Sequence, residues 1–282
     1  MQQKMVFIDI DGTTMDENGR ISPRTVHTIQ RLKENGIPVV VNTGRILAEV
    51  QYILQTVGLH LPVIGANGGY YTDDVGQKVV YTSRMPAEQC LRIIEICKSY
   101  SVLPCFSTPM HFHPQKPFLE IVAQKLPGWQ DHAQRAHVEV PQCIDAEEWP
   151  QFLQRETAVK CSIVLLDTPK VEQLKTELSA LGTLELTSEN QMLIEYNNAG
   201  TTKGSGMLHY LAAHGLKAQN AVAVGDGDND LPMLQQAGFS IAMGNADPLL
   251  QRAADYITDT VWQDGLASAL EKHLLKADCV TC

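Results

Sequence analysis

Two clusters of carboxylates stand where short apolar runs end. Asp9 and Asp11 close the run Val6-Phe7-Ile8, and Asp226, Asp228 and Asp230 follow Ala221-Val222-Ala223-Val224. Side chains two residues apart on an extended chain start on the same side, and Gly12 frees the backbone to turn sharply. Carboxylates converging at one sheet edge repel one another unless a cation neutralises them. Hard oxygen donors with few soft neighbours select Mg²⁺ over zinc. Thr43-Gly44, just after Pro38–Val41, offers a hydroxyl and backbone N–H groups to an anion. Lys203 supplies a point charge at the mouth of a predicted helix. Carboxylate nucleophile, metal, hydroxyl and cation are together the parts needed for phosphoryl transfer.

Each stretch also has a plainer reading. Asp-Gly and Asn-Asp clusters form turns without any chemistry, a threonine can cap a helix, and a lysine can be solvated. Two competing motifs fail on position. An EF-hand loop starting at Asp226 would need Gly and Glu where Leu231 and Ala237 stand. The run Gly200–Gly206, GTTKGSG, lacks the order of a P-loop.

The elements that must position these residues alternate in type. Met5–Ile10 predicts a strand buried on both faces. Ser22-Pro23 predicts an N-cap with proline at the first helical position, opening a helix that ends near Asn35-Gly36. Strands at 38–41 and 62–64 flank a second helix ending near Gly58. Tyr70-Tyr71 and Val79–Tyr81 predict a hairpin across Asp73-Asp74-Val75-Gly76. The same texture returns late, with a helix over 203–214, a strand at 221–224 and further strands at 240–242 and 256–257. This order implies a parallel sheet with right-handed crossovers.

The middle of the chain differs. Cys90, Ile93, Ile94 and Cys97 mark one helical face, strand-like residues fill 103–112, 157–166 and 191–196, and helices are predicted over 117–126 and 169–181. The expected organisation is therefore a discontinuous α/β core over 1–82 and 193–282 with an α+β domain inserted over 83–192.

Composition sets the outer bounds. The chain has 282 residues and a formal net charge of -10, from 22 basic and 32 acidic residues. That balance argues against a nucleic-acid or anionic-membrane surface, while leaving room for an anionic small substrate beside a bound divalent cation. No apolar stretch approaches bilayer length and no secretory segment opens the sequence. The seven cysteines are odd in number and scattered, which predicts reduced thiols in a cytoplasmic protein. Cys279 and Cys282 have redox or metal spacing, but sit in a terminal tail with no helix after them.

Four motifs in order, DIDGT, NTGR, TTKG and GDGDND, resemble those of the haloacid-dehalogenase superfamily of phosphatases. The match is similar to its Cof-type branch, subfamily IIB, which carries a large cap between the second and third motifs. ANGG at Ala66–Gly69 and IEYNNAG before Lys203 fit the same branch, and Asn198 departs from the proline that relatives tend to have. The resemblance covers the core, and the cap only in size and element pattern. It implies a Rossmann-like core with an α+β cap, and a phosphatase acting on a small phosphate ester such as a sugar phosphate or a phosphorylated cofactor.

The resemblance also implies residue roles. Asp9 would attack the phosphoryl group and Asp11 would serve as acid and then base. Asp9, the Asp11 carbonyl and Asp226 would hold Mg²⁺. The Ile10 backbone, Thr43, Gly44, Lys203 and Asn229 would grip the phosphate, while Asp230 would orient Lys203 or metal-bound water. Arg45 would reach substrate or pair with a carboxylate. A phosphohexose mutase and a metabolite-binding regulatory protein on the same scaffold are the alternatives. In the cap, His111 and His113 alternate in Met110–His113. They are expected to share one strand face, either as ordinary polar surface or closing over the crevice against the leaving group.

Overall fold

The computed structural model describes residues 3–117, 120, 142–165, 170–189 and 193–275. Two sheets organise it. The larger has eight strands in the order β13-β12-β11-β1-β2-β3-β4-β5. Its centre is β1 (Met5–Ile8), with β11 (Ala221–Gly225) on one side and β2 (Val39–Asn42) on the other, both parallel to it. Every residue of these three strands is buried, which is why their sequences read as continuous apolar runs and not as alternating ones. β3 (Val63–Gly65), β12 (Phe239–Ala242) and β13 (Tyr256–Ile257) extend the parallel part. The predicted hairpin forms the edge, β4 (Tyr70–Thr72) and β5 (Val79–Thr82), antiparallel to its neighbours.

Helices α1 (Pro23–Glu34), α2 (Leu47–Thr56), α6 (Lys203–Ala213), α7 (Leu231–Gln236), α8 (Pro248–Ala253) and α9 (Gly265–Leu274) belong to this larger body. Ser22 caps α1 as its sequence predicts, its Oγ accepting from the Thr25 N–H at 3.0 Å.

The smaller sheet is antiparallel throughout, in the order β7-β6-β8-β10-β9. Its strands are β6 (Pro104–Ser107), β7 (Phe112–Pro114), β8 (Lys160–Val164), β9 (Leu184–Glu189) and β10 (Leu193–Asn198). Helices α3 (Ala87–Ser99), α4 (Trp149–Arg155) and α5 (Val171–Ser179) cover one face. Cys90, Ile93, Phe106, Trp149, Cys161, Ile163, Leu174 and Tyr196 share that separate apolar core. Ile94 of the predicted helical face is only half-buried.

The fold is thus the expected mixed α/β arrangement with a parallel sheet. The strand at 193–198, read over 191–196 with the strands of the middle segment, pairs antiparallel with β8 and β9 in the smaller sheet, so a boundary at 193 falls at its start and not after it. The helix predicted over 117–126 and the Cys279/Cys282 pair lie outside the described residues. The five described cysteines are free thiols. Among described residues, no helix is long and apolar enough to cross a membrane.

Candidate active site

The C-terminal ends of β1, β2 and β11 lie side by side, so the residues that follow them meet in one crevice. After β1 the chain turns at Ile10, whose carbonyl accepts from the N–H groups of Thr14 and Met15 at 2.9 and 2.8 Å. Gly12 sits in this turn at φ +77°, where a Cβ would lie 2.1 Å from Asp226 Oδ2. Only glycine lets the first carboxylate loop pack this tightly against the second.

Asp9, Asp226 and Asp230 each offer a carboxylate oxygen, all within 4.8 Å of one another. Lys203, the first residue of α6 and 1% exposed, donates from Nζ to Asp9 Oδ1 at 2.8 Å and to Asp230 Oδ1 at 2.6 Å. The other oxygen of Asp230 accepts from the backbone N–H groups of Asp226 and Gly227 at 3.0 and 3.1 Å. Asp230 is therefore occupied in holding Lys203 and the loop. Asp9 keeps its second oxygen clear of Lys203, and Asp226 is held by the Thr13 hydroxyl at 2.7 Å.

Electrostatics here are unbalanced. Burial pushes the Asp9 carboxyl well above the usual carboxylate range, against the pull of Lys203, and neighbouring Asp230, Asp11 and Asp226 add to the rise. Burial likewise pushes Asp226 up to about 6. Burial works against the Lys203 ammonium, but Asp230 and Asp9 outweigh it and raise its pKa. Three carboxylates around one ammonium leave negative charge that a hard cation would balance. An all-oxygen donor set with Asp9 and Asp226 uncommitted to Lys203 on at least one oxygen each fits such an ion.

Asp11 stands apart. Its side chain is 52% exposed and clamped by Arg45, which donates from Nε and Nη2 to its two oxygens at 2.7 Å each. Behind Arg45, Glu49 lies at 3.9 Å, its carboxyl pushed up to about 7 by burial despite the pull of Arg45 and Lys160.

The residues after β2 and β11 form a second group. Gly44 packs so closely that an added Cβ would sit 2.9 Å from Asn67 Oδ1 and 3.6 Å from Asn229 Nδ2. Asn229 donates to Asn67 Oδ1 at 3.0 Å, and Asn67 is buried at φ +55° with its N–H bonded to the Thr43 carbonyl at 3.0 Å. Lys203, Asn229 and Asn67 line one cavity of about 90 Å³. The structure thus gathers Asp9, Lys203, Asp226 and Asp230, and beside them Thr43, Gly44 and Asn229. The Asp11 carboxylate is turned outward, and Asp228 is exposed as well.

Several residues here escaped the sequence analysis. Asn245 donates to the Gly12 carbonyl at 2.8 Å and accepts from the Val261 N–H at 2.9 Å, tying three loops together. From the smaller sheet, Lys160 donates to the Gly44 carbonyl at 2.7 Å and to Glu195 Oε1 at 2.6 Å. Lys160 is 4% exposed. A lysine set between Val159 and Cys161 in an apolar run was the available signal.

His111 and His113 go the other way. Their rings lie 6.0 Å apart, so they share a side as expected. His113 pairs with Phe106 across the sheet and packs on Phe152 of α4 at 4.5 Å, which puts it on the helix-covered face. His113 therefore fits neither of the two alternatives, polar surface or a face closing over the crevice: it is buried beneath the helices. Period two fixes that alternating residues share a face, not which face the helices cover.

A family model described as haloacid dehalogenase-like hydrolase matches residues 6–270. Among curated proteins, the 5-amino-6-(5-phospho-D-ribitylamino)uracil phosphatase YcsE of Bacillus subtilis is 27% identical, over 96% of this chain and 96% of its own. The pyridoxal phosphate phosphatase YbhA of Escherichia coli is 25% identical, over 98% of this chain and all of its own. Among solved structures, the HAD subclass IIB sugar phosphatase BT4131 superposes with a TM-score of 0.78 at 25% identity, covering 95% of this chain and 98% of that one. The match runs through nearly the whole chain and both sheets, and the chain belongs to the haloacid dehalogenase-like hydrolases, as a phosphoric monoester hydrolase of their Cof-type phosphatase branch.

Proposed function

We propose that this chain is a Mg²⁺-dependent phosphatase of small phosphorylated metabolites that works through an aspartyl-phosphate on Asp9. The observation that carries the reading is the buried Lys203, bridging Asp9 and Asp230 with Asp226 alongside. With Asp9 Oδ1 held by Lys203, Oδ2 is the oxygen left to attack phosphorus. The P–O bond to the leaving group breaks as the Asp9–phosphorus bond forms. Asp11 gives its proton to the departing alkoxide, then takes one from the water that cleaves the acyl phosphate. For both steps it must leave the Arg45 clamp.

Asp9, the Asp11 carbonyl and Asp226 would hold Mg²⁺. When bound, the ion stabilises charge on the transferring phosphoryl oxygens. Lys203, the Thr43 hydroxyl, the Asn229 amide and the backbone at Ile10 and Gly44 grip those oxygens. Asp230 keeps Lys203 aimed at Asp9.

We take the five-stranded sheet with α3–α5 as the cap over this site. Two relatives carry names for a phosphoribityl-aminouracil and for pyridoxal phosphate, which supports a small polar metabolite bearing one phosphate. Phosphate release from a panel of such esters, with and without Mg²⁺, tests the reading. Turnover of at least one ester that needs the ion is expected. No release from any ester, or full activity after exhaustive chelation, overturns it.

A further inference from the structure

Lys160 belongs to the smaller sheet, yet its ammonium ends on the loop assigned above to phosphate binding. It opens β8, directly opposite Ser107 of β6. Nζ lies between Glu195 Oε1 at 2.6 Å and the Gly44 carbonyl at 2.7 Å. Glu195 is fully engaged in turn. Ser162 donates to Oε1 at 3.1 Å, and Asn67 donates to Oε2 at 3.0 Å. Asn67 then accepts from Asn229 at 3.0 Å. One cation and one carboxylate, both nearly buried, thus connect to both sides of the proposed phosphate cradle.

The bond to Gly44 has a geometric consequence. A trans peptide points its C=O and its N–H in opposite directions. The carbonyl of the Gly44–Arg45 peptide is fixed on Lys160, so the Arg45 N–H points away from it. That N–H donates to Thr43 Oγ1 at 3.3 Å. With one lone pair so occupied, the Thr43 hydroxyl keeps its own proton for an acceptor in the crevice.

We propose that Lys160 is a positioning residue for phosphate binding. From the smaller sheet it fixes the Gly44–Arg45 peptide plane, and through it the donor direction of the Thr43 hydroxyl. Through Glu195 and Asn67 it also sets the Asn229 amide. The inference rests on the reading of Thr43 and Asn229 as phosphate-gripping residues. Its consequence is that phosphate affinity depends on the smaller sheet being docked, although no phosphate ligand comes from that sheet in this scheme.

The test is the binding of inorganic phosphate to the full chain in saturating Mg²⁺, measured by calorimetry, alongside kcat and KM for p-nitrophenyl phosphate. The variants are Lys160→Met, Lys160→Arg, Thr43→Val and the double variant Thr43→Val/Lys160→Met. Lys160→Met is expected to weaken phosphate about 10-fold, as suits loss of a charge-assisted hydrogen bond that orients a donor. Lys160→Arg should recover part of that loss. Because Lys160 acts largely through Thr43, the double variant should be within about 3-fold of Thr43→Val alone. Losses that multiply, or unchanged phosphate affinity in Lys160→Met, overturn the positioning role. If Thr43→Val itself leaves phosphate binding unchanged while Lys160→Met weakens it, the cradle reading is what fails. Should Lys160→Met not fold, Lys160→Met/Glu195→Gln removes both charges together and is measured in its place, with the same expectation and the same overturning result.

Discussion

Each of the two sheets buries one lysine at the site, and the two are held differently. Lys203, on the parallel sheet's side, lies between two carboxylates with a third nearby. Lys160, on the antiparallel sheet, lies between one carboxylate and one peptide carbonyl. The first cluster is over-acidic, and its Asp9 and Asp226 carboxyls are pushed up by burial. The second balances one charge with one charge. An unbalanced buried cluster holds chemistry in reserve for a cation and an anionic substrate, whereas a balanced pair has only direction left to give. On the function proposed above, the parallel region would carry the reacting groups and the antiparallel region would orient them.

The harshest way to break that comparison is at Asp9. We expect Asp9→Asn to lose at least about 1000-fold in kcat, because an amide cannot be the attacking carboxylate. Removing one of three crowded carboxylates should leave the metal-free fold as stable or more so. Substantial turnover in pure Asp9→Asn would remove Asp9 as nucleophile.

Next comes Lys203. Lys203→Ala removes charge beside the transferring phosphoryl group and also leaves Asp230 buried without its cation. A fall in kcat/KM of about 100-fold is expected, with kcat affected as well as KM. This exceeds the effect expected at Lys160 by about an order of magnitude. Equal effects at both lysines would erase the distinction between reacting and orienting regions.

The over-acidic cluster should also show in stability. A carboxyl raised in the folded state binds more protons there than in the unfolded chain, so stability falls as pH rises through the interval between its two pKa values. For Asp226 that interval runs from 3.8 to about 6, and Asp9 shifts in the same direction. Allowing for partial solvent access, Asp226 alone costs about 2 kcal/mol above that interval. In chelator, the thermal midpoint should therefore drop by roughly 5 °C between pH 4 and 7 on this account. Mg²⁺ should recover most of the loss at pH 7 and little at pH 4. Protonation of buried His113 runs the opposite way over the same range, so the drop is read in a His113→Phe background. A flat chelated profile there, or equal recovery at both pH values, would place these carboxylates outside any shared cation site.

The large sheet was legible because its strands are buried on both faces. Runs such as Met5–Ile8 and Ala221–Gly225 advertise burial, and the carboxylates follow at their ends. That Asp9 and Asp226 come together in one crevice was legible for the same reason. The smaller sheet hid more. Leu193–Asn198 shows no alternation, with Ile194 to Asn197 all buried, and nothing in that run says which sheet it joins; antiparallel pairing decided that. Asn67 lay inside a stretch noticed only for its resemblance to the family, and its φ of +55° has no signature in composition. The Arg45 clamp on Asp11 was one of two open possibilities, since spacing along the chain does not say which carboxylate a guanidinium reaches.

The smallest effect on activity is expected at the cap histidines, and it sharpens the comparison from the other side. His113 is 3% exposed, packed on Phe152, and burial with the neighbouring His111 holds its pKa down to about 4. A base whose folded pKa is depressed contributes stability fully above its unfolded pKa of about 6.5, and loses it as pH falls toward 4. The chain should therefore lose roughly 2 to 3 kcal/mol through this residue between pH 6.5 and 4. His113→Phe, which keeps an aromatic ring against Phe152, should flatten that acid limb in a urea-unfolding series. Its kcat/KM values across a panel of phosphate esters should stay within about 2-fold of the parent and keep their order, since the ring lies on the face away from the crevice. A reordering of substrates in His113→Phe would mean that this face does meet the leaving group. The boundary between orienting strands and helix-covered packing would then have to be redrawn.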